Sequence, residues 1–286
     1  MTKINSYEQF AELQKRYPRT ISNDLLMPAE VRTLIEYGKL QYVATDDGLF
    51  MFIEREGFWK LVFRIKTVDA GLVGDDSQNH PVASCHPSKE GNRTLATYLV
   101  YRERKSPIEC EEWLQSQGFE RLMRLERYVL KSRNISQDHT HTNKRYLAPN
   151  EGNKITIAEG SDITTSGVDE VYTFLNQYFS FEEMDLPARD MYDENNSFCE
   201  RSDSGELQGV VYDMGYTRIA AVSPDARGSG IGRKLYHAYM ESAMQGGTQT
   251  FCEWIRPDNH ASIAMFKKLG FEKDTLVSNC WVKKTI

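Results

Sequence analysis

The sequence has no run of about 18 apolar residues, the length that a membrane-spanning helix requires. Its first residues, MTKINSYEQFAELQKRYP, lack the apolar core of a secretory signal. The five cysteines form no C-x-x-C pair and are odd in number, which is typical of thiols in a reducing compartment. We therefore expect a cytoplasmic protein without membrane contact.

A surplus of positive charge is also missing, since 35 Lys and Arg face 41 Asp and Glu for a net charge of −6. Because a general nucleic-acid binder usually carries a basic surplus, no nucleic-acid partner is predicted. The six histidines are scattered, and His139 and His141 lie in a polar stretch with no third ligand nearby. The composition of that stretch is typical of a solvated linker, and no metal site is predicted.

The chain of 286 residues is long for one compact domain and comfortable for two. A polar stretch near its middle, KSRNISQDHTHTNKRYLAPNEGN, has almost no apolar periodicity. Such a composition is typical of a linker between domains. We predict one domain over residues 1–131, a linker over 132–153 and a second domain over 154–286.

The two halves contain a repeat at a shift of 152 residues, which brings Gly118 onto Gly270. Each glycine opens the sequence Gly-Phe-Glu and follows a β-like run and a helical segment. A further strand pair is expected after it. Ser106 and Asn259 are the predicted N-caps of the two helices, and the glycines suit left-handed C-terminal caps. The continuous match indicates tandem copies of one fold.

A glycine loop occurs only in the second half, within AAVSPDARGSGIGRKLYHAYMESAM, residues 220–244. It lies between an apolar strand and a helix on which Ile231, Leu235 and Tyr239 recur at helical spacing. The first N–H groups of a helix lack internal partners and its dipole is positive there, so a phosphate is the natural ligand. The same shift leads in the first half to DDSQNH, residues 75–80, which has no glycine and two carboxylates. Only one anion site per chain is therefore predicted.

The loop does not match the two commonest nucleotide motifs. It is not G-x-x-x-x-G-K-[ST], which excludes a P-loop NTPase. A G-x-G spacing is present, but no acidic residue about 20 positions on suits a ribose, and the strands do not repeat as βαβ. A plain flexible turn remains the alternative at this point.

Two motifs resemble those of the GNAT acetyltransferase superfamily. The segment VSPDARGSGIGR, residues 222–233, resembles its acetyl-CoA loop, [R/Q]-x-x-G-x-[G/A], filled here by Arg227, Gly230 and Gly232. The segment NHASIAMFKKLGF, residues 259–271, resembles its Asn-capped helix leading to Gly-Phe. The resemblance covers roughly residues 154–286, and the first half resembles the same fold only in its C-terminal portion.

The resemblance implies an α/β (α+β) protein of two tandem domains, each a mixed, mostly antiparallel twisted sheet flanked by helices. The first domain would be degenerate, without the acetyl-CoA loop. The implied activity is that of an N-acetyltransferase, which moves an acetyl group from acetyl-CoA directly to a primary amine of a small molecule. Acetyl-CoA would be a co-substrate, no metal is implied, and the protein would be a monomer or a homodimer.

The implied donor-binding residues lie on the strand, in the loop and on the Asn-capped helix. Backbone groups of the strand would meet the pantetheine arm and the thioester, and loop amides would hold the pyrophosphate. Asn259 would contact the pantetheine, with a pure N-cap as the alternative. The complete set is Ala220, Val222, Arg227, Gly228, Ser229, Gly230, Ile231, Gly232, Arg233, Asn259 and Phe266.

The catalytic groups depart from the family pattern. Phe266 stands where the family often has a tyrosine that protonates the leaving thiolate, and a phenyl ring has no such proton. Glu253 is the predicted general base, because a carboxylate within a half-buried strand can have a raised pKa. The alternative for Glu253 is a surface or salt-bridged glutamate.

Two other functions stay open on the sequence. Phe266 and the degenerate first half also fit a non-catalytic CoA-binding or regulatory protein. A transferase with another acyl donor, a longer acyl-CoA or an aminoacyl-tRNA, is the third, although the net charge disfavours tRNA. The first half would either form one wall of the acceptor site or only stabilise the second half.

Overall fold

The computed structural model describes residues 1–17, 21–23, 25–55, 58–71, 93–131, 165–179, 197–213 and 218–285. The predicted linker, the pair His139 and His141, and the segment 75–80 lie outside these ranges. So does most of the border between the two predicted domains, whose boundaries stay a prediction. No helix within the described ranges is long and apolar enough to cross a membrane.

Helices and strands alternate along both halves of the described chain. The helices are α1 (Tyr7–Arg16), α2 (Pro28–Glu36), α3 (Ile108–Ser116), α4 (Thr165–Asn176), α5 (Ile231–Gln245) and α6 (His260–Lys268). The strands are β1 (Thr2–Lys3), β2 (Ile21–Ser22), β3 (Leu40–Ala44), β4 (Gly48–Arg55), β5 (Phe58–Ile65), β6 (Arg93–Arg102), β7 (Glu120–Lys131), β8 (Ser197–Arg201), β9 (Leu207–Asp213), β10 (Arg218–Val222), β11 (Thr250–Ile255) and β12 (Glu272–Thr285).

The chain divides into two compact units. Unit 1 contains the described parts of Met1–Arg124 and Val277–Ile286, and unit 2 those of Leu125–Ser180 and Tyr192–Leu276. The division falls inside β7 and inside β12, so each of these long strands contributes residues to both units.

Unit 1 is built on a mixed, mostly antiparallel sheet, as the sequence predicts. Its strands follow the order β1, β3, β4, β5, β6, with β5 and β6 parallel and the earlier pairs antiparallel. Strand β4 is buried on both faces, which explains its nearly continuous apolar sequence. Phe50 and Phe52 pack in one cluster with Trp113, while Leu49 and Met51 pack in another on the opposite face.

Unit 2 contains the edges of two sheets. Strand β7 pairs antiparallel with β11, which places Tyr128 opposite Glu253. Strands β8, β9 and β10 form a separate three-stranded antiparallel sheet in the order β10, β9, β8. The core of this unit collects apolar side chains of α5, α6, β7 and β11, among them Leu235, Tyr239, Phe251 and Phe266.

The repeat predicted at a shift of 152 residues is present in the secondary structure. Helix α3 and helix α6 have the same length, and both of their ends differ by that shift. Gly118 and Gly270 follow them with φ of 78° and 87°, the left-handed region that favours glycine. Asn259 caps α6 as predicted, since its Oδ1 accepts the N–H of Ser262 at 3.1 Å.

Two local predictions are wrong. Helix α3 begins at Ile108 with Pro107 as its N-cap and no side-chain cap, so Ser106 is not the N-cap. A single strand, β7 or β12, replaces the expected strand pair after each Gly-Phe-Glu. In β7 the reason is visible in the sequence ERLMRLERYVLK, which contains none of the residues that favour a tight turn.

Replacing Gly209 should destabilise the packing of α5 on β9. A Cβ at Gly209 would lie 2.7 Å from Cγ2 of Ile231 and 3.0 Å from Cδ1 of Leu235. We expect Gly209→Ala to lower the free energy of unfolding by about 1–3 kcal/mol, because both branched side chains must move. Gly71→Ala is the control, since a Cβ there meets no described atom within 4 Å. Urea unfolding followed by circular dichroism measures both, and equal effects would contradict this packing.

Candidate functional site

Among the described strands, β10 pairs along one edge only and its other edge is open. Its pairing with β9 aligns Val222 with Gly209, and the N–H of Ser223 donates to the carbonyl of Gln208 at 2.9 Å. Because hydrogen bonding alternates along an antiparallel strand, Ala220 and Val222 direct their N–H and C=O groups away from β9. Since β10 ends the order of its sheet, those groups lie on the open edge.

The glycine loop follows this strand directly. A short 3₁₀ turn over Pro224–Ala226 comes first, and the hydroxyl of Ser229 donates to the carbonyl of Ala226 at 2.6 Å. Gly228 and Gly230 have φ of 82° and 90°, and a Cβ at either would meet no described atom within 4 Å. The loop therefore needs glycine for its backbone conformation, and the space around both positions is open.

The loop, the end of β10 and α6 converge. Gly232 lies in the first turn of α5, and a Cβ there would be 3.2 Å from Sδ of Met265 and 3.6 Å from Cγ2 of Val222. The Nε of Arg227 donates to the carbonyl of Val222 at 3.3 Å. The structure thus brings the predicted residues Val222, Arg227 and Gly232 together at one end of β10, beside Met265 of α6.

The remaining predicted donor-binding residues occupy different surroundings. Ile231 and Arg233 are half-buried in the first turn of α5, and Asn259 is exposed. Phe266 is buried, with its ring centroid 4.6 Å from that of Tyr236 and 5.1 Å from that of Phe271. The observed contacts of Phe266 are therefore those of an aromatic core residue.

This arrangement has the features that an anion with an attached amide chain requires. Gly230 is the N-cap of α5 and has no capping side chain, so the first N–H groups of the helix point into the open loop. The helix dipole and the two arginines make this end of the helix electropositive. The open edge of β10 adds backbone donors and acceptors, which an extended ligand with amide groups can pair as an added strand would.

Glu253, on β11, belongs to a buried polar cluster at the end of β10 that lies away from the loop. It is 3% exposed, its Oε1 accepts from Nε of Arg218 at 3.0 Å, and its Oε2 accepts from the hydroxyl of Tyr236 at 3.3 Å. Arg218 also donates from Nη2 to the backbone carbonyl of Cys252 at 2.7 Å. Its guanidinium lies 5.2 Å from the centroid of the Tyr239 ring. Arg218 therefore links the first residue of β10 to the middle of β11.

Burial dominates the protonation of this cluster. It raises the pKa of Glu253 to about 7, although the charge of Arg218 and the hydrogen bonds from Arg218 and Tyr236 act in the opposite direction. Burial and the neighbouring carboxylate also raise the pKa of Tyr236, which keeps its hydroxyl protonated as a donor. A carboxyl group that titrates near neutral pH can accept or release a proton under physiological conditions.

Arg218 and Tyr236 were missed by the sequence prediction. Arg218 opens the apolar strand RIAAV, where a charged residue signals a buried partner. Tyr236 lies beside Leu235 on α5, one position off the apolar stripe that the spacing shows, and both side chains are buried. Neither position carries a motif, so only the tertiary contacts with Glu253 reveal them.

The second half of the chain is similar to acetyltransferases. Residues 168–271 match the acetyltransferase (GNAT) family. A mycothiol acetyltransferase of Saccharomonospora viridis is 36% identical over 59 residues, which is 21% of this chain and 19% of that protein. A mycothiol acetyltransferase of Corynebacterium jeikeium is 31% identical over 70 residues, 24% of this chain and 19% of that protein. These alignments therefore span about a fifth of the relatives' length.

A solved structure extends the likeness to the fold of the whole chain. A tandem GNAT protein from the clavulanic acid biosynthesis pathway is similar with a TM-score of 0.51 and 13% sequence identity. The similarity covers 97% of this chain and 94% of that one. At this identity the likeness concerns the fold, and it agrees with the tandem repeat seen in α3 and α6.

The raised pKa of Glu253 should appear in the pH dependence of stability. Since the folded state binds this proton more tightly, stability is greatest below the ordinary carboxyl pKa and is lost as the pH rises through about 7. We expect Glu253→Gln to remove up to about 1.4 kcal/mol per pH unit of that slope. Chemical unfolding at a series of pH values measures it.

Glu170→Gln is the matched control for this measurement. The hydrogen bond from Arg201 and its charge lower the pKa of Glu170, so its contribution is lost only as the pH falls below the ordinary carboxyl range. Between pH 5 and 7 the Glu170→Gln variant should keep the wild-type slope of unfolding free energy against pH. An unchanged slope in Glu253→Gln would show that Glu253 is not the titrating group.

Proposed function

We propose that this chain, which carries a GNAT acetyltransferase domain over residues 168–271, moves an acetyl group from acetyl-CoA directly to a primary amine of a small molecule. The observation that carries the proposal is the exposed glycine loop at the start of α5 beside the open edge of β10. The loop would supply an anion site, and the open edge of β10 would supply backbone donors and acceptors beside it. Pyrophosphate joined to an amide-containing arm matches that combination.

The donor would be held by backbone groups more than by side chains. Amides from Gly228 to Arg233, with the charges of Arg227 and Arg233, would bind the pyrophosphate. The open-edge groups of Ala220 and Val222 would pair with the amides of the pantetheine arm. These nine positions support the proposal through their place on one loop and one strand.

Two side chains of α6 complete the proposed donor site. Asn259 would add a polar contact to the pantetheine arm while it caps the helix, since its exposed amide group has donors besides the capping oxygen. Phe266 would contribute indirectly, as part of the aromatic packing that holds α6 in place.

In the proposed reaction the amine nitrogen attacks the thioester carbonyl carbon. The C–N bond forms, the C–S bond breaks, and the sulfur leaves with the electron pair as a thiolate. Glu253 would accept the proton released by the amine, because its pKa of about 7 suits a base at neutral pH. The thiolate would take its proton from water, since Phe266 has none to give and a thiol has a pKa of only about 8.5.

The unbridged thiols support a cytoplasmic site for this reaction. Within the described ranges Cys110, Cys199 and Cys252 form no disulfide, which suits a reducing compartment. The acceptor would be a small molecule with a primary amine, and the protein would act as a monomer or homodimer.

Acetyl-CoA binding should depend on the glycine loop. Gly230→Ala forces a Cβ onto a φ of 90°, which costs about 1–2 kcal/mol and distorts the loop. We expect at least about a tenfold loss of acetyl-CoA affinity in isothermal titration calorimetry. Gly205→Ala is the matched control, with φ of 86°, equally open space and a position in the β8–β9 turn.

Both variants should lose similar stability, and only Gly230→Ala should lose affinity. The proposal fails if the wild type does not bind acetyl-CoA at millimolar concentration, or if Gly205→Ala weakens binding as much. Binding without turnover of any amine would favour the non-catalytic CoA-binding function. Preferred turnover of another acyl donor would favour the third function.

The role of Glu253 can be read from the pH dependence of turnover. If it accepts the amine proton, kcat rises as the pH increases through about 7. Glu253→Gln should lower kcat by about 10²–10⁴-fold and remove that rise. Release of free CoA, followed with a thiol reagent, measures the rate, and Glu170→Gln serves as the control. A variant with the wild-type pH profile would make Glu253 only the ion-pair partner of Arg218.

A further inference from the structure

We propose that Arg218 limits the length of the acyl group that the donor site accepts. The inference rests on the proposed function and assigns to this residue a role in donor specificity. Arg218 begins the strand whose open edge is proposed to bind the pantetheine arm. It occupies the part of that edge that lies farthest from the glycine loop.

The position of Arg218 follows from the alternation along β10. Residues 218, 220 and 222 share the register that directs backbone groups away from β9, so all three border the open edge. The strand rises about 3.3 Å per residue, which puts Arg218 about 13 Å from Val222 at the loop end. A donor anchored by its pyrophosphate at the loop extends along the edge past Ala220 toward Arg218.

The guanidinium of Arg218 closes the gap between two strand edges. Strand β11 ends its own sheet next to β7, as β10 ends the three-stranded sheet. No backbone pairing joins β10 to β11 among the described residues. Arg218 bridges them instead, with 2.7 Å from Nη2 to the carbonyl oxygen of Cys252 and 3.0 Å from Nε to Oε1 of Glu253.

Arg218 is held too firmly to swing aside. Its side chain is 8% exposed and that of Glu253 is 3% exposed. The Tyr239 ring lies against the guanidinium at 5.2 Å, and Oδ1 of Asp213 lies 3.9 Å from Nη1. Moving the side chain would leave the buried Glu253 carboxyl group and the Cys252 carbonyl without this donor, which is costly in a dry interior.

A longer acyl chain would meet this barrier. An acetyl group ends one methyl beyond the thioester carbonyl, whereas a hexanoyl group continues for four more methylenes. Those methylenes would run along the open edge into a desolvated guanidinium, and an apolar chain cannot replace its hydrogen bonds. Arg218 is in this sense a specificity residue, and it affects the reacting proton only through its charge and hydrogen bond on Glu253.

The test measures binding of CoA, acetyl-CoA, butyryl-CoA and hexanoyl-CoA to the full chain by isothermal titration calorimetry. The wild type should bind acetyl-CoA at least about tenfold more tightly than hexanoyl-CoA. Arg218→Ala should reduce this ratio to about threefold or less. Arg201→Ala is the matched control, because Arg201 of β8 forms an exposed ion pair with Glu170 of α4. This variant should keep the wild-type ratio.

A second variant covers a failure of Arg218→Ala to fold. Arg218→Lys keeps the charge but lacks the guanidinium fork that reaches both Cys252 and Glu253, so it should relax the ratio partly. Thermal unfolding confirms that each variant is folded before titration.

The outcomes separate this inference from the proposed function. A wild type that binds acetyl-CoA and hexanoyl-CoA equally overturns the inference alone. A folded Arg218→Ala or Arg218→Lys variant that binds CoA with the wild-type ratio also overturns it. A wild type that does not bind CoA at all overturns the proposed function, and the inference with it.

Discussion

The unpaired edge of β10 is the constraint on which the candidate site depends. A strand edge with open donors and acceptors needs partners, because buried backbone groups without hydrogen bonds destabilise a fold. In unit 2 the first residue of β10 meets β11 through the side chain of Arg218 rather than through a backbone ladder. The residues beyond it, Ala220 and Val222, direct their outward groups to this edge next to the glycine loop, where the carbonyl of Val222 accepts a hydrogen bond from Arg227.

The buried cluster lies at one end of this edge and the exposed loop lies at the other. At one end Arg218, Glu253 and Tyr236 form a satisfied network in which burial raises the carboxyl pKa to about 7. At the other end Gly228 and Gly230 keep the start of α5 open to solvent. The contact between the Tyr236 and Phe266 rings connects the network to the helix that Asn259 caps. One rigid core thus positions an open binding edge and a titratable carboxyl group.

The described part of the first half repeats an element of the second. Helix α3 and its glycine cap repeat the geometry of α6 and Gly270. The strands that precede α3 build a sheet whose central strand β4 is apolar on both faces. The packing of this unit depends on apolar periodicity, whereas the anion site proposed for the second half depends on a few glycines.

Local signals in the sequence were enough for much of this description. The glycine loop, the cap at Asn259, the left-handed glycines and the shift of 152 residues depend on neighbouring residues, so they can be read from the chain alone. The predicted N-cap at Ser106 was wrong, since α3 begins at Ile108 with Pro107 as its N-cap. The strand pairs expected after each Gly-Phe-Glu were also wrong, and in β7 the sequence contains none of the residues that favour a tight turn. The network of Arg218, Glu253 and Tyr236 could not be foreseen, since these residues lie 17 to 35 positions apart. Only the tertiary structure decides which buried charges meet, because the energy of a buried charge depends on the partners that folding brings to it.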